Sequence, residues 1–193
     1  MKSFLKFFLG LFFKLKIEGI ENLPSKTNFI IVSNHVSWLD PVCFVAIMPY
    51  RFYGIAARYL YKEEWVRWFC ERIGAIPSGD SSEKMISLLN SNKNVGLFPE
   101  GGCSYDGKLK AFKNGAALLA MRTGRPIVPC AIVGTYESLP VDASFPKLFL
   151  PIIIKIGKPI YLLKEFDEII EDIDLQEGIL KVRNSIKAML NAG

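Results

Sequence analysis

Histidine is almost missing from this sequence: His35 is the only one in 193 residues. Cysteine is sparse too, with Cys43, Cys70, Cys103 and Cys130 spread along the chain in no paired spacing. One imidazole and four scattered thiols make neither a zinc site nor a disulfide framework, so no metal or other cofactor is expected, and a reducing, cytosolic setting follows. Internal repeats, low-complexity segments and a proline- or glycine-rich linker are also absent. Nothing marks a boundary, and the length suits a single domain around one core. No apolar run approaches the ~20 residues that a bilayer-spanning helix needs. The basic residues are scattered and form no reader motif with interleaved aromatics, which excludes nucleic acid as the expected partner.

What is present is unevenly charged. Residues 164–193 hold seven acids and four bases, so the overall +5 leaves +8 on residues 1–163, where an anionic lipid or phosphorylated substrate would bind. Residues 1–16 place lysines at 2, 6, 14 and 16 around an apolar stretch from Phe7 to Phe13. A charged start and apolar middle suit a signal peptide, but no small-residue cleavage site follows, and the segment is expected to be retained. Large aromatics between lysines suit an amphipathic helix lying in the headgroup region of a membrane; the alternative is a helix packed on the core.

Beyond residue 17 the pattern alternates. Apolar runs at 29–33, 52–57, 94–98, 126–133 and 152–156 read as buried strands, and helical patterns cover 41–48, 59–72, 81–91, 111–123 and a C-terminal pair within 164–191. Asp80 with Glu83 marks one helix start, and Gly124 marks one helix end. The expected fold is α/β: a single domain over 17–193, with a central, mostly buried mixed sheet flanked by helices and the membrane-contacting helix over 1–16. In such sheets, sites gather at the carboxyl ends of strands.

Two strand ends carry unusual polar groups. After Phe29–Val32 comes Asn34-His35-Val36-Ser37-Trp38-Leu39-Asp40. Histidine titrates near neutral pH and can take a proton from a hydroxyl, so any acid-base chemistry points to His35. If the chain turns at Asn34 and a helix starts at Asp40, this carboxylate converges on the imidazole, orienting it and stabilising its charged form. Asp40-Pro41 is equally a helix start, with Asp40 satisfying backbone amides. The second end, after Val95–Phe98, is Pro99-Glu100-Gly101-Gly102-Cys103-Ser104, with Lys108, Lys110 and Lys113 following. A carboxylate between a proline and two glycines sits on a rigid turn that a ligand can approach closely, although a solvated polar turn has the same composition.

These residues resemble a family. Asn34–Asp40 matches the histidine, four residues, aspartate block of the glycerolipid acyltransferases, and Phe98-Pro99-Glu100-Gly101 matches their third block. Ile127–Ile132 is similar to their fourth block and Gly74–Pro77 to the start of their second. The likeness spans residues 15–160 and is nearest to the 1-acylglycerol-3-phosphate acyltransferases. It implies that His35 is the general base for an acceptor hydroxyl attacking an acyl thioester, that Asp40 orients it, and that Ser37, Glu100 and Gly101 help hold the acceptor. The donor would be acyl-CoA or an acyl carrier protein, the acceptor a lysophospholipid, and the setting the cytoplasmic face of a membrane, peripherally or monotopically bound. Many relatives carry arginines where this chain has Ser78-Gly79-Asp80-Ser81 and Cys103. A guanidinium binds phosphate bidentately, so Arg58, Lys108, Lys110 or Lys113 must substitute, or the acceptor is another lysophospholipid or an aminolipid.

Chemically, one well-placed base suffices, because a thiolate leaves easily and no acyl-enzyme is needed. The rivals are a thioester intermediate on Cys103, beside His35, and a non-catalytic membrane-binding module that keeps the fold. Gly102–Asp106 is no nucleophile elbow, since Asp106 stands where glycine is required.

Overall fold

In the computed structural model, residues 2–79, 81–162 and 169–192 are described. Their strands are β1 (Lys16–Glu18), β2 (Ile30–Ser33), β3 (Phe52–Ala56), β4 (Ala75–Pro77), β5 (Asn94–Leu97), β6 (Ile127–Val133) and β7 (Ile153–Ile156). They form one seven-stranded sheet in the order β1-β7-β6-β2-β5-β3-β4. All neighbours are parallel except β6 and β7, so the sheet is mixed as expected. The helices are α1 (Lys2–Phe13), α2 (Leu39–Ile47), α3 (Glu64–Ile73), α4 (Ser81–Asn90), α5 (Gly115–Thr123), the single turn α6 (Thr135–Ser138) and α7 (Asp172–Asn191).

The crossovers decide which face each helix covers. The chain steps one way along the sheet from β2 to β3 to β4, then back to β5 and on to β6. Right-handed connections therefore put α2 and α3 on one face and α4 and α5 on the other. Two core layers result. Phe29, Ile31, Val128 and Ile154 meet Leu9 and Phe13 of α1 and Cys43 and Ile47 of α2, whereas Ile30, Val32, Val95 and Ala131 meet Met85, Leu89, Ala117 and Val182 of α4, α5 and α7. Neighbouring residues of β2 thus serve opposite layers, and all four are buried, as a central parallel strand requires.

Several expectations need correction. The strands β1 and β4, three residues each, are too short to show a period and were not expected. The helix expected over 59–72 is a 3-10 turn at Arg58–Lys62 followed by α3. The helix expected from 111 starts at Gly115, because the amides of Lys110 and Lys113 are held by Glu100 Oε2 and the Pro99 carbonyl, both at 2.9 Å, which fixes the segment outside a helix. Among the described residues of the C-terminal pair, one helix, α7, runs unbroken through Gly178, where an added Cβ would stand 2.8 Å from a methyl of Leu162. Close packing there outweighs the ~1 kcal/mol that glycine costs a helix. Part of that expected pair, at 163–168, and the start signal at Asp80 lie outside the described residues.

The segment 2–13 is helical, and no helix among the described residues is long and apolar enough to cross a membrane. Leu9 and Phe13 are buried on α1, while Phe7 (70%) and Leu11 (55%) are exposed, so the helix packs on the core with one side and turns apolar groups outward on the other.

Candidate active site

Because β2, β5, β3 and β4 run parallel, the residues that follow them share one edge of the sheet. His35 comes after β2, Glu100 after β5, Arg58 after β3 and Ser78 after β4. At the spacing of ~4.8 Å per strand, Arg58 stands two strands, roughly 10 Å, from the His35 column.

The turn after β2 is pinned by Asn34. Its side-chain amide donates to the Ile132 carbonyl (2.9 Å) and its Oδ1 accepts from the Ile132 N–H (2.8 Å). The side chain so imitates another strand residue and extends the β2–β6 ladder one step after the backbone has turned away. From there His35 Nδ1 comes within 2.9 Å of Asp40 Oδ2. The same oxygen accepts the backbone N–H groups of Val36 (2.7 Å) and Ser37 (2.8 Å). Asp40, in the first turn of α2, is fully buried, and these three donors are what make a buried carboxylate tolerable. Its amide partners precede the helix, so Asp40 is not the N-cap; just ahead of the helix, Ser37 Oγ accepts from the Leu39 N–H (3.1 Å). An ionised carboxylate only accepts, so the hydrogen sits on Nδ1 and the lone pair of Nε2 is left for chemistry.

Ser37 must be reassigned. It is fully buried, and its hydroxyl also donates to the Leu139 carbonyl at 2.6 Å, which leaves it no surface for a substrate. Glu100 is likewise turned inward, with Oε1 on the His35 N–H (2.7 Å) and Oε2 on the Lys110 N–H (2.9 Å). Both oxygens serve the protein, so this carboxylate joins the two loops instead of gripping an acceptor. Burial holds its pKa above the usual glutamate value, partly opposed by those two amides. The Ser104 N–H donates to the His35 carbonyl (2.7 Å), a second tie between the loops.

Gly101 has φ +75°, and Lys113 Nζ lies 2.7 Å from where its Cβ would be, so an ammonium covers this turn. Lys110 Nζ donates to the Cys103 carbonyl (3.0 Å). Both lysines border the loop after β5. Lys108 is drawn to Asp106 (3.9 Å) at the surface, and Arg58 Nε donates to the Ser78 carbonyl (3.2 Å), which keeps it on the β3–β4 side.

Of two close neighbours of His35, Phe98 was not among the expected site residues, and Cys103 was expected only as the carrier of a rival thioester intermediate. The Phe98 ring stacks on the imidazole with centroids 4.1 Å apart and planes at 20°, and Phe44 meets Phe98 edge-on at 5.7 Å. Cys103 Sγ lies 3.0 Å from His35 Nε2, and burial pushes its pKa up to about 12, with the Asp40 charge adding to the rise and Lys110 opposing it. This thiol is protonated near neutrality. The strand-ending Phe98 was a visible signal, but nothing in the sequence reveals that its ring stacks on the imidazole. Among the described residues no cluster of histidine, cysteine and carboxylate side chains could hold a metal ion.

The chain is similar to known proteins over most of its length. The family model described as Acyltransferase matches residues 14–133. A chloroplastic 1-acyl-sn-glycerol-3-phosphate acyltransferase of Brassica napus is 32% identical over 160 residues, covering 78% of this chain and 46% of the relative. The 1-acyl-sn-glycerol-3-phosphate acyltransferase of Bacillus subtilis is 36% identical over 138 residues, covering 67% of this chain and 68% of the relative. The chain spans about half the length of the first of these relatives. The crystal structure of the 1-acyl-sn-glycerophosphate acyltransferase PlsC from Thermotoga maritima superposes with a TM-score of 0.74 at 28% identity, over 93% of this chain and 73% of that one. With the family match running from the start of β1 through the end of β6, and so through both loops of the site, this chain belongs to the acyltransferase family.

Proposed function

We propose that this protein transfers a fatty acyl group from a thioester to the free hydroxyl of a lysophospholipid, 1-acylglycerol-3-phosphate being the first candidate acceptor and phosphatidate the product. The observation that carries the reading is the His35–Asp40 pair, whose hydrogen bond directs the free lone pair of Nε2 away from the buried carboxylate. In the reaction, Nε2 takes the hydroxyl proton as the oxygen attacks the thioester carbonyl; Asp40 stabilises the imidazolium; the C–S bond breaks, and the proton passes to the departing thiolate. No acyl-enzyme is formed. A cleft of about 420 Å³ begins at Phe44 and is walled by Val45, Met48, Phe52 and Ile73, with Arg51 and Arg72 beside it. The row His35–Phe98–Phe44 leads from the base to this cleft, a path of the right character for an acyl chain. Acyl-CoA or an acyl carrier protein would be the donor, and the enzyme would act at the cytoplasmic face of a membrane, with residues 1–16 as its contact and 17–193 as the catalytic domain.

A second acceptor class is favoured by one observation. Where many relatives carry arginine, the loop presents a neutral thiol at Cys103, and the cations that remain, Lys110 and Lys113, are point charges without a bidentate fork. A different lysophospholipid or an aminolipid would suit this loop.

The deciding experiment offers an acyl thioester and a mixture of lysophosphatidate, other lysophospholipids and an aminolipid, with products read by mass spectrometry and His35→Ala as control. Conversion of lysophosphatidate alone, with a dead control, supports the first reading. Preference for another acceptor moves the assignment to the second, and vesicle binding without transfer to any acceptor would overturn both.

A further inference from the structure

We propose that the loop between α6 and β7 inserts into the lipid surface beside α1, so that the membrane contact is built from two elements instead of one. Residues 144–149, Ser-Phe-Pro-Lys-Leu-Phe, are exposed without interruption. Phe145 is 84% exposed, Phe149 61% and Leu148 41%, a concentration of large apolar groups that folding alone does not explain. Phe149 adopts φ +66°, a region that costs a bulky residue backbone strain.

The loop belongs physically to α1. A helix leaves its last carbonyls without intrahelical donors, and here the loop supplies them: Phe149 N–H donates to the Phe12 carbonyl, and Ile152 N–H to that of Phe13, at 2.6 and 2.9 Å. The Phe149 ring lies 6.2 Å from that of Phe12, continuing the outward apolar side that Phe7 and Leu11 begin. Lys147, in the middle of the loop, joins Lys6, Lys14 and Lys16, so the surface pairs insertable side chains with ammonium groups and fits an anionic bilayer. At its other end the loop is tied to the catalytic turn, with Ser37 Oγ donating to the Leu139 carbonyl (2.6 Å) and Trp38 Nε1 to that of Val141 (3.3 Å). Seating the loop thereby fixes how far His35 stands from the lipid headgroups.

The inference rests on the reading that the protein works at a lipid surface, and the test separates the two. Flotation with phosphatidylcholine vesicles containing phosphatidylglycerol compares the full-length protein with Phe145→Ser/Leu148→Ser and with Phe149→Asn, each checked for an unchanged circular dichroism spectrum and cooperative melting. Asparagine accepts the left-handed backbone at 149, so that variant loses the ring without losing the turn. We expect each variant's partition coefficient to fall about tenfold, the scale set by burying one or two large apolar side chains. Wild-type partitioning by folded variants would overturn the loop's role and leave α1 as the contact. Failure of the wild type to float would overturn the lipid-surface reading together with it.

Discussion

The sulfur of Cys103 sits 3.0 Å from Nε2 of His35, on the one ring nitrogen that Asp40 leaves available. In the proposed mechanism an acceptor hydroxyl reaches that same nitrogen, so the thiol and the acceptor compete for one position.

Replacing Cys103 with alanine should therefore keep turnover within about threefold, because a thiol held near pKa 12 supplies little nucleophile. Steady-state rates and intact-protein mass spectra check this, and an acyl adduct on Cys103 with a dead alanine variant would establish an acyl-enzyme route instead.

Asp40→Asn should lower kcat by about 10²–10⁴-fold, the range expected when a general base is removed or misdirected. The amide oxygen can still accept from Nδ1, Val36 N–H and Ser37 N–H, but it carries no negative charge with which to stabilise an imidazolium. Equal losses in kcat and kcat/KM would mark a group acting in the transition state; a change in KM alone would assign Asp40 to binding.

Glu100 makes a pH prediction. Its folded-state pKa is raised above the ordinary 4.5, so the native state holds its proton longer than the unfolded chain does. Stability from this group is intact below pH 4.5 and declines as pH rises from there through the folded-state value. Urea unfolding across that window should show the decline in the wild type, with Glu100→Gln removing it. The amide also puts an NH₂ against a backbone N–H, so the variant should lose activity through loosening of the His35 loop.

Asn34→Leu should destabilise the fold by about 2–5 kcal/mol, since Ile132 would be left with a buried N–H and a buried carbonyl unpaired, each costing ~1–3 kcal/mol. Denaturant midpoints at constant m-value would read this directly, and a loss well under 1 kcal/mol would mean that the ladder closes without the amide.

The longer elements could be read in one dimension because each is a buried apolar run or an amphipathic stretch with end signals. β2 and β6 are such runs, and Gly124 stops α5 in a left-handed conformation. The His35–Asp40 pair was legible for a similar reason, as a local turn over a five-residue separation. Ser37 was misplaced and Phe98 overlooked because their positions depend on partners far along the chain: Leu139 is 102 residues from Ser37. Glu100 was seen, but with the wrong direction. Sequence composition marks a carboxylate on a rigid turn without saying whether it faces solvent or two amides of its own protein.

The central place of β2 also bears on how the molecule comes into being. The strand that leads into the His35 turn is flanked by β5 and β6, and that turn is held by Glu100, 65 residues on, and Ile132, 98 residues on. Pairings of such long range close slowly, after local helices have formed. A nascent chain that has just exposed His35 and Asp40 holds both members of the pair without the contacts that fix them, which arrive only when β6 has been synthesised and docked.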